Sequence, residues 1–106
     1  MMFSWLFGPS IYLLILDMFL DNPTEFINLR EISRRVDKNP GSISRVLPRL
    51  VERGFLEQIQ VGKATYAYRL NTVDPLVRIL EESREKLQEL QRQREQVKEE
   101  GAKLDD

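Results

Sequence analysis

The sequence contains no cysteine and no histidine among its 106 residues. Without cysteine the chain can form neither disulfides nor thiolate metal sites, and nothing in it indicates an oxidising compartment. The absence of histidine removes the residue that most often serves as a general base or a metal ligand. We therefore expect no catalytic site, no metal site and no cofactor, and we predict that the protein is not an enzyme.

The one long apolar stretch, from Phe3 to Leu20, is interrupted. Its length approaches the roughly 20 residues that a membrane-spanning helix needs. However, Pro9 and Asp17 break the run, no basic segment precedes it, and Asp21 to Pro23 close it. We interpret the stretch as a buried helix over residues 11–20, with Pro9 in its first turn, and expect neither a signal peptide nor a membrane partner.

Charge is unevenly distributed, although the formal net charge is only −1. Residues 1–27 carry a net −3, and residues 70–106 also carry a net −3. Residues 28–69 hold nine Lys or Arg against four Asp or Glu, a net +5. A basic module between acidic flanks is the pattern expected of a DNA-contacting surface. The alternative from charge alone is a solvated basic face without a ligand.

Two helices joined by a tight turn are predicted within the basic module. Asn28 followed by Glu31 is typical of a capping box at a helix start. Asn39 can cap the next helix, with Pro40 as its first residue, and Gly54 suits the position just after its end. The apolar residues of the first of these helices recur at helical spacing: Leu29, Ile32 and Val36. Helix, tight turn and helix together indicate a helix-turn-helix.

Strand-like sequence follows Gly54. Phe55–Val61 and Thr65–Leu70 are rich in aromatic and β-branched residues and are separated by Gly62 and Lys63, which predicts a β-hairpin, or wing. Period-two alternation places Tyr66, Tyr68 and Leu70 on one face of the hairpin. The predicted fold is therefore mainly α with a β-hairpin, a winged helix-turn-helix domain over residues 1–72.

A long helix is predicted after the wing, because Asp74 can cap it and Pro75 fits its first turn. Heptad positions a and d take up most of its apolar residues: a at Val73, Leu80, Leu87 and Arg94, and d at Leu76, Ser83, Leu90 and Val97. Such a helix would be roughly 40 Å long, too long to pack wholly on so small a domain.

We therefore predict a coiled-coil dimerisation helix over residues 73–100 and a disordered tail over residues 101–106. The residues expected to hold the homodimer together are Leu76, Leu80, Leu87, Leu90 and Val97. A solvated single helix is the alternative, because Ser83 and Arg94 weaken the seam. The charges at the flanking heptad positions leave open whether the coiled coil is parallel or antiparallel.

Residues 28–36 and 41–56 resemble winged-helix transcription regulators of MarR and ArsR type, particularly archaeal ones. The likeness includes the pair Ser44 and Arg45, the run Gly54 to Leu56 that leads into the wing, and residues 66–71 at the end of the wing. It covers about residues 7–80 and implies a winged-helix fold that binds DNA. Joined to a coiled coil, the arrangement is also similar to archaeal dimeric proteins that organise chromosomal DNA.

Two departures from this resemblance bear on ligands. Metal sensing of the ArsR type uses Cys or His ligands, which this chain lacks. Effector pockets of the MarR type need more helices around the dimer interface than so short a chain provides. These two departures exclude thiolate metal sensing and make a small-molecule effector doubtful.

The second helix of a helix-turn-helix enters the major groove with its N-terminal part leading. At 100° per residue, Ile43, Leu47 and Leu50 share one side of this helix, which must face the core, and Arg45 lies opposite. Arg45 is the candidate base reader, because its planar fork can donate two bonds to guanine O6 and N7. Pro48 lies on the same exposed side and is expected to bend the helix or to end it early.

The remaining candidates have supporting roles. Ser42 and Ser44 can bond to bases or phosphates, and Gly41 permits close approach of the backbone. Phosphate contacts are expected from Arg30, Lys38, Asn39 and Arg49, and Lys63 at the wing tip can enter a minor groove. For each of these residues the alternative is an ordinary solvated side chain.

The leading hypothesis is a homodimeric transcription regulator that binds double-stranded DNA in the cytoplasm, at the nucleoid. One alternative is an architectural protein that coats DNA with little sequence preference. Another is an adaptor whose wing or coiled coil docks on a second protein. The basic module favours the two DNA-binding hypotheses.

Overall fold

The computed structural model describes residues 2–8 and 10–104. In chain order the elements are α1 (Met2–Phe7), α2 (Ile11–Asp21), β1 (Ile27–Asn28), α3 (Leu29–Val36), α4 (Pro40–Glu52), β2 (Leu56–Gln60), β3 (Tyr66–Leu70) and α5 (Pro75–Leu104). The predicted architecture, mainly α with a β-hairpin and a long C-terminal helix, is confirmed.

Helix α2 forms the centre of the domain, as its apolar sequence predicts. It begins after Ser10, whose side chain accepts a hydrogen bond from the Leu13 N–H at 3.1 Å. Its buried apolar side chains are Ile15, Met18, Phe19 and Leu20, and the helix contacts α1, α3, α4 and β3. Pro9, which we predicted for the first turn, lies outside the described residues. None of the described helices is long and apolar enough to cross a membrane.

Asp17, the polar residue inside this helix, is fully buried. Its carboxylate accepts hydrogen bonds from the N–H of Phe3 at 3.0 Å, the N–H of Ser4 at 2.8 Å and the Ser4 hydroxyl at 2.7 Å. These N–H groups belong to the first turn of α1, where no intrahelical acceptor exists. Asp17 therefore caps α1 from the neighbouring helix and holds it against α2.

The turn between α3 and α4 is built from local hydrogen bonds. The side chain of Asn28 caps α3 by accepting from the Glu31 N–H at 2.9 Å, as predicted. The Glu31 carboxylate does not complete the capping box in the expected way, because it binds Arg34 and Arg35. Asp37 ends α3 in the left-handed region with φ 55°, and the Ser33 hydroxyl donates to the Lys38 carbonyl.

Helix α4 begins at Pro40 and ends in the glycine motif that we predicted. Gly54 has φ +83°, its N–H donates to the Val51 carbonyl, and the next N–H, of Phe55, donates to the Leu50 carbonyl. This pair of bonds is the Schellman motif, which requires a left-handed residue. The helix passes through Pro48 to Glu52, so the interpretation that Pro48 ends it early is wrong.

The sheet is antiparallel with strand order β1-β3-β2. Strands β2 and β3 form the predicted wing, and the short extended piece before α3 adds β1 as a third strand, with Ile27 opposite Tyr68. Tyr68 and Leu70 are buried, as their shared face predicts, whereas Tyr66 is exposed because the hairpin projects beyond the core there.

Helix α5 starts at the predicted cap, where Asp74 accepts from the N–H groups of Leu76 and Val77 at 2.9 and 3.1 Å. Val77, which lies outside the predicted a and d positions, is completely buried. Arg84 binds the Leu20 carbonyl at 3.0 Å and forms an ion pair with Asp21. The first part of α5 is therefore fastened to α2.

Helix α5 continues further than the sequence predicts. Residues 101–104, which we assigned to a disordered tail, are helical, and residues 105 and 106 lie outside the described residues. A glycine within a helix costs only about 1 kcal/mol relative to alanine, and the residues that follow Gly101 include the good helix formers Ala, Lys and Leu. The existing helix therefore propagates across Gly101.

Candidate nucleic-acid interface

The orientation of α4 follows the predicted division of its faces. Ile43, Val46, Leu47 and Leu50 are buried against the core. The opposite face is exposed to solvent and carries Gly41, Ser44, Arg45, Pro48 and Arg49. The packed face fixes the helix on the domain, and the exposed face presents a small, polar and basic surface of the kind that can enter a groove of DNA.

Arg45 lies in the middle of this exposed face. Within the part of the chain that the structure describes, its guanidinium takes part in neither an ion pair nor a side-chain hydrogen bond. The arginines of α3 differ, since Arg34 pairs with Glu31 and Arg35 pairs with Glu25 and Glu31. Arg45 therefore keeps its full set of N–H donors for a ligand.

The small polar residues at the start of α4 are partly engaged. Asn39 accepts a hydrogen bond from the Gly41 N–H at 2.7 Å, which occupies its side-chain oxygen and leaves the amide N–H donors. The Ser44 hydroxyl donates to the Gly41 carbonyl at 2.8 Å and retains its acceptor capacity. Ser42 is half-buried at the side of the exposed face. Asn39 thus fixes the start of the helix and can still donate to a phosphate.

Ion pairs divide the nine basic residues of the module into two groups. Arg34, Arg35 and Arg69 pair with Glu31, Glu25 and Glu57. The other six form no ion pair among the described residues: Arg30, Lys38, Arg45, Arg49, Arg53 and Lys63. Five of these six were predicted as DNA contacts, and Arg53 was not. The positive charge available to a ligand therefore lies mainly on α4, in the turn before it and at the wing tip.

The ion pairs of α3 perturb the groups that form them. Hydrogen bonds from Arg34 and then Arg35 lower the pKa of Glu31 to about 2. The hydrogen bond from Arg35 lowers the pKa of Glu25, and those from Glu25 and Glu31 raise the pKa of Arg35. These groups are charged at neutral pH and satisfy one another, so Arg34 and Arg35 are less available to a ligand than the arginines of α4, for which the described chain shows no ion pair.

Arg49 contacts Tyr12, a residue for which the sequence predicted no role in DNA binding. Its Nη1 donates to the hydroxyl of Tyr12 at 2.8 Å, and the guanidinium of Arg53 lies 5.9 Å from the centroid of the same ring. Tyr12 belongs to the first turn of α2, and no local pattern in the sequence indicated its contact with α4. The spacing of Arg45, Arg49 and Arg53 at every fourth residue was the signal available in the sequence.

The wing tip places Lys63 in the exposed turn between β2 and β3. The Gln60 side chain donates to the Lys63 carbonyl at 3.0 Å, and the Val61 N–H donates to the Thr65 carbonyl at 2.9 Å, which shapes the turn. Lower on the wing, Arg69 pairs with Glu57 and stacks over a phenylalanine ring. Lys63 is therefore the basic residue of the wing that extends into solvent.

The predicted dimerisation residues fall into two groups. Leu76, Leu90 and Val97 are each more than half exposed, and Leu80 and Leu87 pack partly against the domain's own core. Ile79 is exposed as well and falls on the same side of the helix by its spacing, so α5 carries an exposed apolar stripe of Leu76, Ile79, Leu90 and Val97. Leu6 and Phe7 of α1 are also exposed. Between α1, α2 and α5 lies an open apolar groove of about 510 Å³, lined by Phe3, Phe7, Leu13, Leu16, Leu80, Ser83, Lys86 and Leu87.

A comparison with protein families matches residues 10–60, which run from the start of α2 to the end of β2, to the IclR helix-turn-helix domain. The chain carries a helix-turn-helix domain of winged-helix fold. A comparison with curated protein sequences finds no match.

Two similar solved structures are of MepR from Staphylococcus aureus. One is of MepR in complex with DNA, with a TM-score of 0.66, 13% identity, and coverage of 91% of this chain and 77% of MepR. The other is of MepR described as a transcription regulator of the multidrug efflux pump MepA, with a TM-score of 0.63, 12% identity, and coverage of 95% and 80%. The likeness extends over nearly the whole chain and therefore includes the fold of α5 as well as the winged helix.

Proposed function

We propose that the protein is a transcription regulator that binds double-stranded DNA as a homodimer. The observation that carries this proposal is the exposed face of α4, where Arg45 is free of ion pairs within the described chain while the opposite face is packed into the core. The proposed role is binding without catalysis, exercised on the chromosome in the cytoplasm. The DNA complex of MepR supports it, because a protein of similar fold binds DNA there.

In the proposed complex the N-terminal half of α4 lies in the major groove. Arg45 reads a guanine, Ser42 and Ser44 bond to bases or phosphates, and Gly41 allows the backbone to approach closely. Phosphates on the flanking strands are bound by Arg30, Lys38, Asn39 and Arg49. Lys63 reaches the adjacent backbone or minor groove from the wing tip.

Selection of preferred sites from random duplex DNA tests this function. A palindromic motif supports a dimeric regulator, uniform binding indicates an architectural protein, and no binding indicates an adaptor. Arg45→Ala should weaken discrimination at one base pair by about 1–3 kcal/mol, whereas Lys63→Ala should lower affinity evenly across sequences. An unchanged motif with Arg45→Ala would show that α4 does not read bases through this residue.

The proposed dimer interface uses the exposed apolar stripe of α5, with α1 beside it. Deletion of residues 73–106 would remove this stripe, but it would also remove the fully buried Val77 and so damage the domain itself. A sharper test is the double variant Leu90→Lys, Val97→Lys, because both residues are exposed and lie beyond the part of α5 that is fastened to α2.

Sedimentation at tens of micromolar should show a dimer for the unsubstituted chain and a monomer for the double variant, with little change in secondary structure. Gln96→Lys is the matched control, because Gln96 is exposed about 100° around the helix from Val97. A monomeric unsubstituted chain, or a double variant that remains dimeric, would contradict this interface.

A further inference from the structure

Tyr12, Arg49 and Arg53 form a cluster on one side of α4, and the proposed function gives a role only to Arg49. The cluster joins the first turn of α2 to the C-terminal end of α4. Arg49 donates to the Tyr12 hydroxyl at 2.8 Å, and Arg53 lies against the face of the Tyr12 ring. One aromatic residue thus orients two arginines, both of which are exposed.

The chemistry of the cluster suits an anion. Neither arginine forms an ion pair among the residues that the structure describes, so two positive charges stand side by side without a counter-charge. The Tyr12 hydroxyl accepts from Arg49 and keeps its own hydrogen, for which the described residues provide no acceptor. Two guanidinium groups and one O–H donor match the several acceptor oxygens of a phosphate.

The position of the cluster relative to Arg45 indicates where this phosphate lies. A helix rises about 1.5 Å per residue, so Arg49 and Arg53 follow Arg45 by about 6 and 12 Å along α4. The major groove is about 12 Å wide. If Arg45 contacts bases near the middle of the groove, the edge lies about 6 Å away, so α4 passes the sugar-phosphate backbone in the stretch from Arg49 to Arg53.

We propose that Tyr12, Arg49 and Arg53 bind one phosphodiester group of duplex DNA, and that Tyr12 positions Arg49 for this contact. The proposal rests on the proposed function and adds to it a binding site that spans α2 and α4. A guanidinium that is already held by the tyrosine loses less conformational freedom when it binds the phosphate. Tyr12 thus contributes to affinity although it carries no charge.

The test is a measurement of duplex affinity over a series of KCl concentrations, by fluorescence anisotropy with one fixed duplex. Tyr12→Phe keeps the ring and removes the hydroxyl, and it should lower the affinity about tenfold at every salt concentration. The slope of log K against log salt should not change, because no charge is removed. Arg49→Ala and Arg53→Ala should each make that slope shallower, and the two together should make it shallower by about 0.9 for each protomer bound, the share of one phosphate.

A double-mutant cycle distinguishes positioning from a general effect on the fold. Tyr12→Phe should cost little further affinity when Arg49 is already alanine, because both substitutions remove contacts with the same phosphate. Tyr68→Phe, the same chemical change at a buried position in the sheet, and Arg92→Ala, a charge removed from the distal half of α5, are the controls and should leave the affinity unchanged.

Two results would overturn the phosphate site. One is an unsubstituted chain and a Tyr12→Phe variant that bind the duplex equally well. The other is a cycle in which the two substitutions are additive while the melting temperature of Tyr12→Phe falls, because that outcome assigns Tyr12 to folding. Failure of the unsubstituted chain to bind any duplex would instead overturn the proposed function itself.

Discussion

Replacement of Asp17 by asparagine tests the link between α1 and the rest of the domain. The carboxylate accepts three hydrogen bonds from Phe3 and Ser4 and is fully buried. Asparagine has the same size, but only one side-chain oxygen, and its amide group would face a second donor. At least one buried N–H of α1 then loses its acceptor.

The expected cost follows from this geometry. An unsatisfied buried donor costs about 1–3 kcal/mol, and the remaining bonds become weaker because they no longer involve a charge. We expect Asp17→Asn to lower the free energy of unfolding by about 3 kcal/mol, which corresponds to a fall in melting temperature of about 12–24 °C for a domain of this size. Ser4→Ala removes only the hydroxyl bond and should cost about 1 kcal/mol.

Thermal unfolding followed by circular dichroism measures both variants, and amide hydrogen exchange locates the change. Exchange at Phe3 and Ser4 should accelerate in Asp17→Asn before exchange in α4 does, because α1 is the element released. A melting temperature within about 2 °C of the unsubstituted chain, with slow exchange retained at both amides, would refute the role of Asp17 as a cap for α1.

Two further predictions concern α3 and α4. Pro48 is exposed within a continuous helix, so Pro48→Ala restores the N–H that can donate to the Ser44 carbonyl and leaves no cavity. We expect this substitution to raise the free energy of unfolding by about 2 kcal/mol, after allowance for the entropy of the unfolded chain. A lower melting temperature would contradict this expectation. Glu31 has a folded pKa of about 2 against an ordinary value of 4.5, so its stabilising contribution is present above about pH 4.5 and is lost as the pH falls towards 2. The difference in melting temperature between the unsubstituted chain and Glu31→Gln should therefore be measurable at pH 7 and much smaller at pH 2, and an equal difference at both values would contradict it.

Local signals in the sequence predicted the ends of the helices well. Asn28, Asn39 and Asp74 cap helices as expected, and Gly54 takes the left-handed position after α4. Each of these devices involves groups only a few residues apart, so the chemistry of a short segment decides it. The order of helices and strands followed from such signals together with hydrophobic periodicity.

Residues whose roles depend on distant partners were missed. In the sequence Asp17 is visible only as an interruption of an apolar run, because its partners in α1 lie 13 and 14 residues away. Val77 falls outside the heptad pattern, yet it is completely buried in the core. Periodicity describes the faces of an isolated helix and does not show which face a neighbouring element will cover.

The candidate site likewise combines features that local sequence predicts with features that depend on distant contacts. The exposed face of α4 and the position of Arg45 followed from the spacing of Ile43, Leu47 and Leu50 within one helix. The association of Arg49 with Tyr12 spans 37 residues and required the packing of α2 against α4. Sequence patterns therefore predicted which face of α4 is exposed, and the fold showed which basic residues are held together.

Because α5 is one continuous helix, the rotation of the domain relative to the distal half of α5 is fixed. Val77 and Arg84 fix the proximal part of the helix to the domain, and the same unbroken helix extends to Leu104. Each residue along it turns the helix by about 100°. In a dimer held by the distal half, the direction in which each copy of α4 faces is thus set by the number of residues between Arg84 and Leu90, and a single residue added there would turn each domain by about 100° about its own α5 relative to that half.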